Sequence, residues 1–159
     1  MIQRIQTVYL FAMFAIGLVL VWQDPVYAWF DGVNQPSSYV LMFWNSYTGT
    51  APGQDVVYVP DLLTILSSIS AMAMGVISIF FYKNRKFQMR LVLTAFLLCV
   101  LLEAVLLARF YWFKSGHPTF VGHLGIPLIW PILMGMSGLM AYRGIKADEE
   151  MVRSMDRIR

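Results

Sequence analysis

Apolar positions in this chain neither alternate with polar ones nor recur once per helical turn. They run on in blocks. Four blocks have the length, about 20 mainly apolar residues, that crosses roughly 30 Å of hydrocarbon. They are Ile5–Trp22, Leu62–Tyr82, Leu91–Phe113 and Leu124–Tyr142. Each predicts a helix, because lipid offers no partner to an open backbone N–H or C=O. Together they leave no room for a separate soluble unit. The expected fold is therefore a single domain over residues 1–159, an all-α antiparallel bundle of four transmembrane helices. The first block is followed by Val26-Tyr27-Ala28, which resembles the end of a cleavable secretory signal. Its apolar run is long for that purpose, so a retained span is expected.

Composition strengthens this reading. Hydrophobic residues make up 58% of the chain and charged residues 13%, against roughly half and a quarter in soluble domains. The placement of charge then sets orientation. No Lys or Arg lies between Arg4 and Lys83. With the N-terminus inside, ten of the 12 basic residues fall in cytoplasmic pieces, as the positive-inside rule demands. Only Arg109 and Lys114 remain on the outer side. The expected topology is N-in/C-in. Trp22, Trp29 and Phe30, and then Phe110 to Phe113, mark the outer interface. The net charge of +3 thus reflects topology and contact with membrane lipids, and no nucleic-acid partner is expected.

The outer loop, residues 23–61, is too long for a connector. It holds two β-prone runs, Tyr39–Trp44 and Val56–Val59, separated by turn-forming residues. A short hairpin of these two runs, resting on the outer face of the bundle, is expected, the alternative being an interfacial aromatic segment without regular structure. The connections 83–90 and 114–123 are short, so the second, third and fourth spans should be consecutive antiparallel neighbours. In the tail, residues 145–159, Asp148, Glu149 and Glu150 precede Arg153 at helical spacings. The fourth span should run on into a cytoplasmic helix.

Candidate chemistry is sparse. Glu103 sits near the middle of the third span, where a carboxylate is costly and must be protonated, paired or hydrated. Depth counting nominates Ser70 and Ser137 as its partners. Arg109 is the other functional candidate. It is expected to snorkel to the outer interface, with an outer-loop aspartate or a lipid headgroup as competing partners. His117 and His123 are read as wet loop residues, since zinc wants three or four ligands. The methionines, among them Met13, Met72, Met74, Met134, Met136 and Met140, are read as gap-fillers. Pro127 and Pro131 should kink the fourth span. The lone Cys99 cannot support thiol–disulfide exchange. No nucleophile motif, phosphate loop or metal-ligand spacing is present, so no enzyme activity, metal or cofactor is expected.

Three segments carry a resemblance: Met1-Ile2-Gln3-Arg4-Ile5-Gln6-Thr7-Val8-Tyr9-Leu10, Lys83-Asn84-Arg85-Lys86-Phe87-Gln88-Met89-Arg90-Leu91, and the end from Asp148 to Arg159. Together they resemble a family of small four-span bacterial membrane proteins, common in the Bacteroidetes lineage and catalogued as a domain of unknown function. The resemblance implies a multi-pass protein of the bacterial inner membrane and no particular activity. All three segments lie on the cytoplasmic side, which makes Arg85, Lys86, Arg153 and Arg157 candidates for a cytoplasmic contact. The expected role is a non-catalytic accessory subunit or assembly factor that binds other integral membrane subunits. The alternative is a small proton-coupled carrier using Glu103.

Overall fold

The computed structural model describes residues 2–32, 38–43, 45–48, 57–82 and 84–156. Helix α1 spans Ile2–Gln23, α2 Leu62–Phe80, α3 Arg85–Gly116 and α4 Ile129–Asp156. All four are long and apolar enough to cross a membrane. Consecutive helices pack on one another, and α1 also packs on α4, so the bundle closes into a ring. The α1–α2 seam is the least extensive of the four, and Met13 against Gly75 and Met72 against Gly17 close it. At 1.5 Å per residue, the 32 residues of α3 and the 28 of α4 extend over about 48 and 42 Å, and both project beyond the hydrocarbon. The expected continuation of the fourth span into the tail is therefore one unbroken helix to Asp156.

Local chemistry explains the helix ends. Asp24 (φ 37°) stops α1 in the left-handed region, where Asp is tolerated. Its N–H donates to Leu20 O at 3.2 Å, and Pro25 follows. Asp61 caps α2 by accepting from Leu63 N at 3.1 Å. Asn84 does the same for α3 by accepting from Phe87 N at 3.3 Å. Pro127 sits in a 3₁₀ turn, Ile126–Leu128, and Pro131 in the first turn of α4. A first-turn proline loses no helical hydrogen bond. The pair starts the helix, where a kink within the span was expected.

Among the described residues five strands form one antiparallel sheet beyond the other end of the bundle: β1 Val26–Gly32, β2 Ser38–Met42, β3 Asn45–Thr48, β4 Val57–Pro60 and β5 Phe120–Leu124. Their order is β4-β3-β2-β1-β5. The expected two-stranded hairpin is thus corrected. Of its two runs, Tyr39–Met42 falls in β2 and Val57–Val59 in β4, Trp44 and Val56 lying outside the described residues, but β3 lies between them, and β5 comes from the second connection. A marginal hairpin becomes a stable layer because it grows to five strands and covers helix ends. Ala28, Phe30, Leu41, Phe43 and Phe120 of this layer pack on Leu20 of α1 and on Leu102, Leu106 and Phe110 of α3.

Deeper in the bundle small residues let the helices approach. Met13, fully buried, brings its Sδ to within 3.2 Å of where a Cβ would stand on Gly75 and 3.4 Å of one on Gly138. Its flexible thioether fills the space those two glycines leave. Met134 is buried with it, while Met136 and Met140 face outward.

Candidate functional site

Three polar centres lie within apolar surroundings, one at each end of the bundle and one between them. At the sheet end, Arg109 of α3 reaches Asp61 at the start of α2, with Nη1 3.0 Å from Oδ2. The same nitrogen donates to Met42 O at 3.4 Å and Phe43 O at 3.3 Å. The guanidinium also stands 5.8 Å from the ring centre of Tyr27. Both charged side chains are largely buried, at 15% and 22% exposure. Arg109 therefore does not snorkel. The acidic cap of α2 captures it, and it ties α2, α3 and the end of β2 together.

Tyr27 reaches this centre through a β-bulge. The β1–β2 register passes from Val26↔Met42 to Ala28↔Leu41, so Tyr27 is the extra residue. A bulge breaks alternation, which is why Tyr27 and Ala28, adjacent in sequence, are both fully buried. The Tyr27 hydroxyl has no hydrogen-bond partner among the described residues. Burial pushes its pKa up from 10 to about 12, against the lowering effect of Arg109 and with a further rise from Asp61. The unfolded chain ionises this phenol first, so its contribution to stability is complete below pH 10 and is lost as pH rises to about 12. Tyr27→Phe removes an unsatisfied buried hydroxyl and should raise stability by about 1 kcal/mol. It should also delete the highest-pH step in a tyrosine absorbance titration of the folded protein; an unchanged titration would place the slow phenol elsewhere.

The second centre is Glu103. One of its carboxylate oxygens, Oε2, is buried without a hydrogen-bond partner among the described residues. It lines a groove of about 350 Å³ between α3 and α4, whose other walls are apolar: Phe96, Val100, Leu107, Pro131 and Ile132 among them. The serines nominated by depth are not its partners. Ser70 Oγ donates to Leu66 O, and Ser137 Oγ donates to Leu133 O at 2.9 Å. A helical serine finds the carbonyl four residues back before it finds a neighbouring helix.

The third centre lies at the opposite end from the sheet. Arg85 Nη2 is 3.2 Å from Asp148 Oδ2, and its Nη1 donates to Asp148 O at 3.2 Å. Of the proposed contact residues, Arg85 is thus committed to α4, and Arg153 pairs with Glu149 at 3.1 Å within α4. Lys86 is exposed. Arg157 lies outside the described residues. The histidines stay in the sheet region. His117 Nδ1–H donates to Phe113 O at 3.2 Å, and His123 stacks on Trp29 with centroids 5.5 Å apart. Among the described residues no three His, Cys, Asp or Glu side chains converge as metal ligands would.

A closed ring of four membrane-length helices, roofed at one end by an antiparallel sheet, defines a multi-pass integral membrane protein. Within that class the chain matches the domain of unknown function DUF4293 over residues 2–158, and it belongs to that family. No curated protein matches it.

Proposed function

We propose that the protein is a non-catalytic accessory subunit or assembly factor of a larger complex in the bacterial inner membrane, with both chain ends in the cytoplasm. The observation that carries this reading is Glu103, whose buried Oε2 has no hydrogen-bond partner among the described residues and which lines a groove on the flank of the bundle. A polar group in hydrocarbon is costly to leave unsatisfied. The groove beside it includes Gly135 and Ala104, small residues of the kind that admit a close helix. A transmembrane helix of another subunit, carrying a hydrogen-bond donor, satisfies the acid and fills the groove. The orientation follows from the basic residues gathered at the end away from the sheet.

Extraction from the native membrane in mild detergent tests this. A large particle with fixed partners supports the reading. A particle of one or a few identical 18.2 kDa chains removes it. Glu103→Leu should reduce co-extraction of the partner about tenfold, whereas Glu103→Gln, which still bonds to a donor, should largely keep it. The second reading is a proton-coupled carrier, favoured by the same carboxyl. It makes the opposite prediction for Glu103→Gln: transport lost with the fold intact.

A further inference from the structure

The end of the bundle opposite the sheet contains a cavity of about 360 Å³, lined by Gln6 of α1, Phe80 and Tyr82 at the end of α2, Arg85 and Gln88 of α3, and Asp148 of α4. Its polar lining is built in. Gln6 is 6% exposed and Gln88 5%, and the Gln6 Nε2 is buried with no hydrogen-bond partner among the described residues. A buried amide nitrogen without an acceptor is destabilising. The chain makes room for it: a Cβ on Gly144 would stand 3.0 Å from Gln6 Cγ and 3.7 Å from Nε2. Beside the two amides, the cavity carries one guanidinium and one carboxylate, which face each other across 3.2 Å.

This arrangement selects an occupant by charge. The lining has no net charge, so a simple anion would meet Asp148 and a simple cation would meet Arg85. Arg85 and Asp148 already pair with each other; a zwitterion lies along that pair head to tail, meeting the N–H groups and the carboxylate oxygen that the pair leaves open. The volume is near the lower end for small-molecule sites, enough for a headgroup and not for a whole lipid. Phe80 and Tyr82 at the rim are 75% and 56% exposed, as aromatic residues at a headgroup boundary are. We propose that this cavity seats the headgroup of a phospholipid bearing both a phosphate and a primary ammonium. Arg85 holds the phosphate and Asp148 the ammonium, each through the positions their ion pair leaves open, and Gln6 Nε2 joins Arg85 once its amide turns toward the cavity.

The test is native mass spectrometry of the delipidated full chain in detergent. It is titrated separately with phosphatidylethanolamine, phosphatidylcholine, phosphatidylglycerol and the soluble headgroup phosphorylethanolamine. The expected result is retention of phosphatidylethanolamine at least several-fold above the other two lipids, with the soluble headgroup bound far more weakly. Equal retention of the three lipids, or a preference for phosphatidylglycerol, overturns the proposal. Binding of phosphorylethanolamine as tight as that of the lipid overturns the lipid assignment and leaves a soluble phosphate ester as the occupant. Gln6→Leu should weaken retention about tenfold, the scale of one lost bond to a charged group. Asp148→Asn should erase the preference for ethanolamine over choline while keeping binding. Unchanged helix content and elution volume establish that each variant folds. The ranking of the lipids by the unmodified protein decides the matter even where a variant does not.

Discussion

Arg109→Ala will destabilise the folded protein by roughly 3 kcal/mol, measured as a shift in the denaturation midpoint in detergent. Breaking a buried pair by removing one partner costs about 3–5 kcal/mol. The low end applies here because the two side chains keep 15% and 22% of their exposure. The loss is larger than the ion pair alone would suggest. The carbonyls of Met42 and Phe43 lose this donor as well, and among the described residues the Asp61 carboxylate keeps only the hydrogen bond from Leu63 N of its own helix. Arg109→Lys should recover part of the loss, since an ammonium restores the charge and its donors but sits on a shorter stem than Nη1, which makes all three contacts. The double variant with Asp61→Ala should be less destabilised than the sum of the single ones. Additivity within about 0.5 kcal/mol would mean the two groups act independently.

Gly122→Ala should cost about 3 kcal/mol, the upper part of the range for overpacking a filled site. A Cβ at this position would stand 2.6 Å from Phe30 Cε1, 2.9 Å from Phe30 Cδ1 and 3.0 Å from Phe110 Cζ. Phe30 cannot step aside. It is fully buried, stacked on Phe110 with centroids 5.1 Å apart and tilted against Phe113 at 4.5 Å. The strain is relieved only if β5 lifts away from β1, where Gly122 pairs with Phe30. Amide hydrogen exchange in β5 should therefore accelerate more than in α3. Gly116→Ala is the control: nothing lies within 4 Å of its Cβ position, and it should leave stability within about 0.5 kcal/mol. Equal effects of the two substitutions would show that the aromatic packing seen around Phe30 does not constrain the strand.

The bundle was legible in the sequence because hydrocarbon thickness imposes a length that blocks of apolar residues announce directly. The ends were less so. Lys83–Arg90 reads as a polar connection, yet Arg85 already belongs to α3, because Asn84 supplies the cap and the basic residues tolerate a helix outside the hydrocarbon. The sheet was half legible. The β-branched and aromatic runs within β2 and β4 stand out, whereas β3 reads Asn45-Ser46-Tyr47-Thr48 and β5 is five residues containing Gly122 and His123. Strand β1 was hidden by its bulge, which puts Tyr27 and Ala28 on the same side and erases the two-residue period. Pairing partners cannot be read from any of these segments, because register depends on what each strand meets.

The same distinction holds for the functional candidates. Glu103 and Arg109 announce themselves, since an ionisable residue in or at the edge of a span needs an explanation. Their surroundings do not. Asp61 resembles any helix cap until the fold brings α3 beside it. Ser70 and Ser137 share a depth with Glu103, but depth carries no information about which way a hydroxyl turns. Gln6 and Gln88 gave no signal at all, because a glutamine near the end of a span is ordinary. Only burial separates these two from the rest.

The place of β5 in the chain has a consequence for biogenesis. Strands β1 to β4 are synthesised before α2, while β5 follows α3, so β1 waits with an open edge until two further helices have entered the bilayer. Strand β5 can reach that edge only when α3 has crossed in the direction opposite to α2. An inverted α3 strands β5 on the far side of the membrane and leaves β1 unpaired, an edge that invites aggregation. The sheet is in this sense a proofreading device, which only a correctly inserted chain can complete.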